Sequence, residues 1–282
     1  MDIPTVFRAA PSNCSAFFPQ VFPLDQAPRE LQAIARTFAE KYGESFDSVY
    51  LFPDEQLSRL HAAEPRPEEL ARGSGTVVIA SALDPCIPAA IYTLTRLANG
   101  DAPTLRHQYL QTVCDLYRRL PGEPELLAND PATLCIAPER EGRIIAEALG
   151  WLHPGLHVIP EAKRMRYSAG LAVALGMTAI PDNLSACMIV DGAIASGATI
   201  MSICQRVSQR FHRIYVYSIH ATPSSLRALS RFAAVLGIDL TLIVAHASGV
   251  LNGKYYAVEP EDPAQLIVGD MGDLVTETAP AD

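Results

Sequence analysis

Residues 187–199 place an acid, two hydroxyls and a run of very small side chains in an order that could bind a sugar phosphate. Cys187, Met188, Ile189 and Val190 form an uncharged apolar run suited to a buried strand. Asp191 then stands at the expected end of that strand. Gly192, Ala193 and Ile194 lead into Ala195, Ser196, Gly197, Ala198 and Thr199, and residues 200–207 continue with helical spacing. A helix start offers unpaired N–H groups and the positive end of a dipole, so it suits an anion such as phosphate. Small residues let the backbone approach that anion, and Ser196 and Thr199 add hydroxyl donors. Asp191, one loop away, is placed to accept hydrogen bonds from sugar hydroxyls. Phosphate plus ribose is the chemistry these types support. An ordinary strand–turn–helix of an α/β protein shares the outline.

The elements that must hold this segment are legible as an alternation. Helical spacing over 28–42 and strand-like runs at 48–52 and 76–80 come first, with a Pro-rich charged loop near 64–69. Then follow a helix over 104–120, a strand at 133–137, a helix over 142–151 and a strand at 156–159. Residues 169–176 read as helix or loop. After the acid and its loop come a strand at 213–219, a helix over 224–236 and a strand at 240–245. Strands alternating with helices predict an α/β fold with a mostly parallel sheet flanked by helices. Ligands in such sheets bind beyond the strand C-termini. Asp191 and Arg140 each follow a strand, so both can reach one crevice.

The segment resembles the phosphoribosyl-diphosphate (PRPP) binding motif of type I phosphoribosyltransferases. Many members carry two adjacent acids; here Gly192 follows the single Asp191. That form is similar to the uracil phosphoribosyltransferase branch, with its Asp-Pro and Ala-Thr-Gly-Gly-Ser. Other segments resemble that branch in the same order. They are Tyr92-Thr93-Leu94-Thr95-Arg96 with Thr104-Leu105-Arg106, and Pro138-Glu139-Arg140-Glu141-Gly142 at the pyrophosphate loop. Next come His157 and Lys163-Arg164-Met165-Arg166 at a basic mobile loop, and Ala221-Thr222-Pro223-Ser224-Ser225-Leu226 at a turn into a helix. Leu251-Asn252-Gly253-Lys254-Tyr255-Tyr256 and Gly269-Asp270-Met271-Gly272-Asp273 complete the series. The resemblance covers roughly residues 90–275. It implies a domain over 86–282, preceded by an N-terminal α/β extension, 1–85, that it does not place.

By that resemblance the chain is a pentosyl transferase moving 5-phosphoribosyl from PRPP to a small acceptor. Asp191 would meet the ribose hydroxyls and Arg140 would clamp pyrophosphate. Ala195, Ser196, Gly197, Ala198 and Thr199 would cradle the 5′-phosphate. Gly142 would serve the pyrophosphate loop, and Lys163, Arg164 and Arg166 would close over it as a lid. Mg²⁺ would be carried mainly by PRPP, with no protein ligand to the metal. Tyr256, Ala257, Val258, Asp270 and Asp273 would form the acceptor site. Residues 259–266 interrupt the family's Tyr-Ile-Val-Pro-Gly there, so the expected acceptor is not uracil and belongs to a specialised biosynthetic pathway. Ordinary uracil salvage and a non-catalytic PRPP or nucleotide sensor are the alternatives. A homodimer is expected.

Composition narrows the setting. A net charge of −9 disfavours a general nucleic-acid or anionic-membrane surface. No run reaches a membrane-spanning length, and the N-terminus lacks the charged and apolar regions of a signal peptide. Cys14, Cys86, Cys114, Cys135, Cys187 and Cys204 form no close-spaced metal pair. Cys135 and Cys187 lie in apolar strand patterns, as reduced buried thiols do, so a reducing cytoplasm is expected. His157 and His246 end strand patterns and read as structural.

Overall fold

The computed structural model describes residues 18–43, 45–62, 76–82, 84, 86–87, 102–119, 130, 132–138, 141–153, 157–159, 162–167, 169–176, 180 and 183–267. Chain order is β1 (Gln20–Pro23), α1 (Arg29–Tyr42), β2 (Ser48–Pro53), α2 (Asp54–Ala62), β3 (Thr76–Ile79), α3 (Ala102–Arg119) and β4 (Thr133–Ile136). Then come α4 (Glu141–Leu152), β5 (His157–Ile159), β6 (Ala162–Tyr167), β7 (Gly170–Leu175), β8 (Ala186–Ile194), α5 (Ala198–Val207) and β9 (Arg213–Ala221). The last are α6 (Pro223–Leu236), β10 (Asp239–Ala247) and the hairpin β11 (Val250–Leu251) and β12 (Ala257–Val258).

The expected parallel sheet is present. It has six strands in the order β3-β10-β9-β8-β4-β5, every neighbouring pair parallel. Its inner strands, β4, β8, β9 and β10, are buried on both faces, so alternate residues enter different cores. Cys187, Ile189, Ile214, Val216, Leu242 and Val244 face α5 and α6, where Ile200, Ile203 and Phe232 meet them. Met188, Val190, Tyr215, Tyr217 and Ile243 face α3 and α4 through Tyr109, Leu116, Ile145 and Leu149. Burying each such aliphatic or aromatic side chain contributes about 1.5–3 kcal/mol.

A second sheet, β1-β2-β7-β6, is antiparallel throughout. It corrects two expectations. Residues 169–176, read as helix or loop, contain the central strand β7. Leu171, Val173 and Leu175 join the core of the parallel sheet, while Ala172 and Ala174 pack under α1 with Leu31 and Ala35. A strand sandwiched this way has no polar side to alternate with, and its Leu/Ala run looks helical. Residues 163–166, read as a mobile loop, are the strand β6, paired with β7. The N-terminal segment is built into both sheets: β1 and β2 extend the second, and β3 forms an edge of the first.

Candidate functional site

Asp191 does not end its strand. Strand β8 runs on to Ile194, with Asp191 opposite Ser218 of β9. On its other edge the β4 ladder stops at Ile136 opposite Ile189, so β8 projects past β4. The start of α4 fills that step. Gly142 is tight against β8, since a Cβ there would lie 2.7 Å from the Val190 carbonyl oxygen. Successive strand residues face opposite ways. Asp191 faces the α5 side, and a side chain at 192 would face α4. Glu141 already occupies that place: a Cβ on Gly192 would meet its Oε2 at 2.1 Å and its Cβ at 2.7 Å.

The small-residue loop is where the sequence put it, and α6 shapes it. The Ile194 carbonyl accepts from Thr222 N–H at 3.1 Å and Ser225 Oγ at 2.9 Å. The Ala195 carbonyl accepts from Thr222 Oγ1 at 2.9 Å, and Thr222 Oγ1 also caps α6 by accepting from Ser225 N–H at 3.2 Å. Both loop carbonyls are thus tied inward. Gly197 turns the chain at φ 78°, a left-handed conformation costly to other residues. Helix α5 then starts at Ala198, whose N–H meets Ser196 Oγ at 3.3 Å. Met201 N–H bonds the Gly197 carbonyl at 2.9 Å, and the N–H groups of Thr199 and Ile200 between them have no intrahelical acceptor, which suits an anion. Ala195, Ser196 and Ala198 are buried, and Thr199 is half-buried.

Burial raises the Asp191 carboxyl to about 7, against the pull of Arg164 and the backbone N–H groups of Gly192 and Ala193. The side chain itself is half-buried. Tyr109 of α3, on the α3–α4 face of the sheet, is 0 % exposed, with no hydrogen-bond partner for its hydroxyl among the described residues. Its pKa is held well above the usual range, first by burial and then by the charges of Glu141 and Asp191.

Strand alternation divides the basic run. Met165 packs under α1, and Arg164 and Arg166 share the opposite face. Arg164 acts on Asp191 and stands over the Tyr256 ring, its guanidinium carbon 5.0 Å from the centroid. Arg166 is exposed and near enough to Tyr255 to act on its hydroxyl. Lys163 pairs with Ala174 in the ladder. Arg140, Asp270 and Asp273 lie outside the described residues.

The expected acceptor segment forms the β11–β12 hairpin. Asn252 Oδ1 accepts from the N–H groups of Lys254 at 2.9 Å and Tyr256 at 3.1 Å, closing its turn. Residues 259–266 do not leave β12 open. The chain turns back so that Ile267 N–H meets the Ala257 carbonyl at 3.0 Å and Glu259 N–H meets the Gln265 carbonyl at 3.1 Å. Val258 bridges Leu266, so β12 has neighbours on both edges, and Ala257 and Val258 are buried.

Three features escaped the sequence reading. Glu141 meets Gly192 across a long stretch of chain, and no local pattern announces that. Thr222 did leave a signal, a hydroxyl residue before a proline at a helix start. His220 and His246 end adjacent strands with ring centroids 6.3 Å apart. His220 Nε2 lies 3.0 Å from Ser248 Oγ, and His246 Nδ1 lies 2.9 Å from Ser81 Oγ. Burial, then His246, pushes His220 down to about 4. Among the described residues no group of three or more His, Cys, Asp or Glu could hold a metal ion, and no helix is long and apolar enough to cross a membrane.

No protein-family model and no curated protein matches the sequence. Solved structures do share the backbone. The AQ2163 protein from Aquifex aeolicus overlays 72% of this chain and 99% of its own, with TM-score 0.55 and 16% identity. Adenine phosphoribosyltransferase from Saccharomyces cerevisiae, solved with an imino-altritol bisphosphate and adenine, covers 50% of this chain and 80% of its own at 14% identity, with TM-score 0.36. Xanthine-guanine-hypoxanthine phosphoribosyltransferase from Helicobacter pylori covers 50% and 87% at 13% identity, with TM-score 0.32. Phosphoribosyltransferases thus recur among these structures, but only the Aquifex overlay bears on the fold. It shows that this α/β arrangement, over nearly three quarters of the chain, is one adopted by another solved protein.

Proposed function

We propose that the protein is a PRPP-dependent phosphoribosyltransferase whose acceptor is a small molecule other than uracil. One observation carries this reading. Asp191, the tied-down loop ending at the start of α5, and the start of α4 converge where β8 projects past β4, with Arg164 across from the acid. On this reading the arrangement would offer separate places to a sugar diol, a monophosphate and a leaving diphosphate. Asp191 orients the ribose through its hydroxyls. The N–H groups at the start of α5 hold the 5′-phosphate. Arg164, with the Arg140 loop expected from the sequence, counters charge on the departing pyrophosphate. Such transfer needs positioning and charge stabilisation more than covalent help. Mg²⁺ would supply further charge neutralisation on the diphosphate, held largely by substrate oxygens.

The acceptor reading rests on β12. A backbone edge that would read a pyrimidine is occupied here by residues 265–267. The test is incubation with PRPP, Mg²⁺ and a panel of pyrimidines, purines and other small heterocycles, following pyrophosphate release. Release with at least one acceptor other than uracil is expected. Failure of the protein to bind PRPP at millimolar concentration would refute the assignment.

A further inference from the structure

We propose that Glu141 is a second acid of the site and that it binds the divalent cation accompanying the diphosphate. This rests on the PRPP reading above. The position after Asp191 is Gly192, which has no side chain to offer. The space such a side chain would take is filled from α4: a Cβ at 192 would meet Glu141 Oε2, Cβ and Cδ at 2.1, 2.7 and 2.9 Å. A strand carrying two successive acids would send them to opposite faces. Asp191 faces the α5 side and Glu141 covers the α4 side, so the two carboxylates reproduce that disposition from separate elements. Tyr109 is the independent sign that the place is built for a polar ligand. It is 0 % exposed, its hydroxyl has no partner among the described residues, and both carboxylates act on it.

Charge decides which ligand Glu141 takes. It is the first residue of α4, the helix start that follows the expected pyrophosphate loop. A carboxylate there favours the helix dipole but repels a diphosphate. A cation lying between them turns that repulsion into attraction. Mg²⁺ accepts one or two carboxylates together with phosphate oxygens and retained waters. A helix-capping role alone predicts that replacing Glu141 leaves the metal dependence of PRPP binding unchanged.

The experiment is calorimetric titration of PRPP into wild-type protein and Glu141→Gln, with and without Mg²⁺. In wild type Mg²⁺ tightens PRPP binding. In Glu141→Gln that gain falls by about tenfold or more, the loss of one charge-assisted contact. Binding of inorganic phosphate stays unchanged. A double variant, Glu141→Gly with Gly192→Asp, removes all three clashing atoms and returns an acid to the adjacent position; it recovers the Mg²⁺ dependence. If wild type binds PRPP and Glu141→Gln keeps the full Mg²⁺ gain, the role of Glu141 is refuted while the transferase reading stands. If wild type binds no PRPP, both fall.

Discussion

Replacing Asp191 by Asn should make the protein more stable at pH 8 while weakening its binding of PRPP. The folded carboxyl sits at about 7, against an ordinary 3.8. Between those values the folded state keeps a proton that the unfolded chain has released. Stability therefore falls as pH rises through this window and reaches its low plateau above pH 7. Three pK units at about 1.36 kcal/mol each set a ceiling near 4 kcal/mol. The side chain keeps part of its exposure, so water recovers some of that, and about 2 kcal/mol is the expected penalty. Asn has the same shape and no charge to desolvate. The variant should gain about 2 kcal/mol at pH 8, roughly 3–6 °C in melting temperature, and nothing near pH 4. PRPP should meanwhile bind more weakly by about 1.5–3 kcal/mol, the value of a charge-assisted hydrogen bond. Urea unfolding of both proteins from pH 4 to 8, with calorimetric PRPP titrations, measures both effects. A variant less stable than wild type at pH 8, or a difference that does not change with pH, would refute the reasoning.

Three other outcomes follow from the same geometry. Thr222→Ala removes the α6 cap and one of the loop's tethers, so it should cost about 1 kcal/mol in unfolding free energy and weaken inorganic phosphate severalfold; unchanged phosphate binding would detach α6 from the loop. His220 is held at about 4 by burial and His246, so its contribution is complete above 6.5 and is lost as pH falls towards 4. Wild type should lose about 2 kcal/mol between pH 7 and 5 from this group, and His220→Gln should not, as urea unfolding at the two pH values would reveal. Uracil should be a poor acceptor: two backbone partners lost at about 1–3 kcal/mol each lower its use by a factor on the order of a thousand, and uridine monophosphate formation at kcat/KM above roughly 10⁴ M⁻¹s⁻¹ would overturn the reading of residues 259–266.

What was legible in the sequence follows from the range of the forces involved. The apolar run 187–190, the small residues 195–198 and the helical spacing after them are local, and the loop and α5 stand where they were expected. The end of β8 was misjudged because Asp191, a residue uncommon in strands, is kept in the ladder by β9 alone, after β4 has stopped. Strand β7 was misjudged because both of its faces are buried, which erases the period-two signal. Its burial in turn explains β6. Lys163, Arg164 and Arg166 look like a solvated loop until Met165 is anchored under α1. Glu141 was illegible in any local window, since its relation to Gly192 exists only when α4 packs on β8.

The hairpin that the proposed reading sets beside the acceptor is tied to the N-terminal segment. Tyr255 Oη donates to Asp54 Oδ1 at 2.9 Å, and Tyr255 is held at φ 59°, a left-handed conformation that a tyrosine adopts only under constraint. Tyr256 beside it lies under Arg164, the residue that also tempers Asp191. On the far side of the sheet top, Ser81 engages His246, and the charge of Glu259 acts on the same imidazole. Helix α2 therefore reaches the hairpin, while the turn after β3 and the loop after β12 act on the end of β10 that leads into it. An acceptor held between that hairpin and Asp191 would be read by a surface to which all three contribute. Changing acceptor preference would then require coordinated substitutions near 54, 81 and 259, not exchange of the hairpin alone.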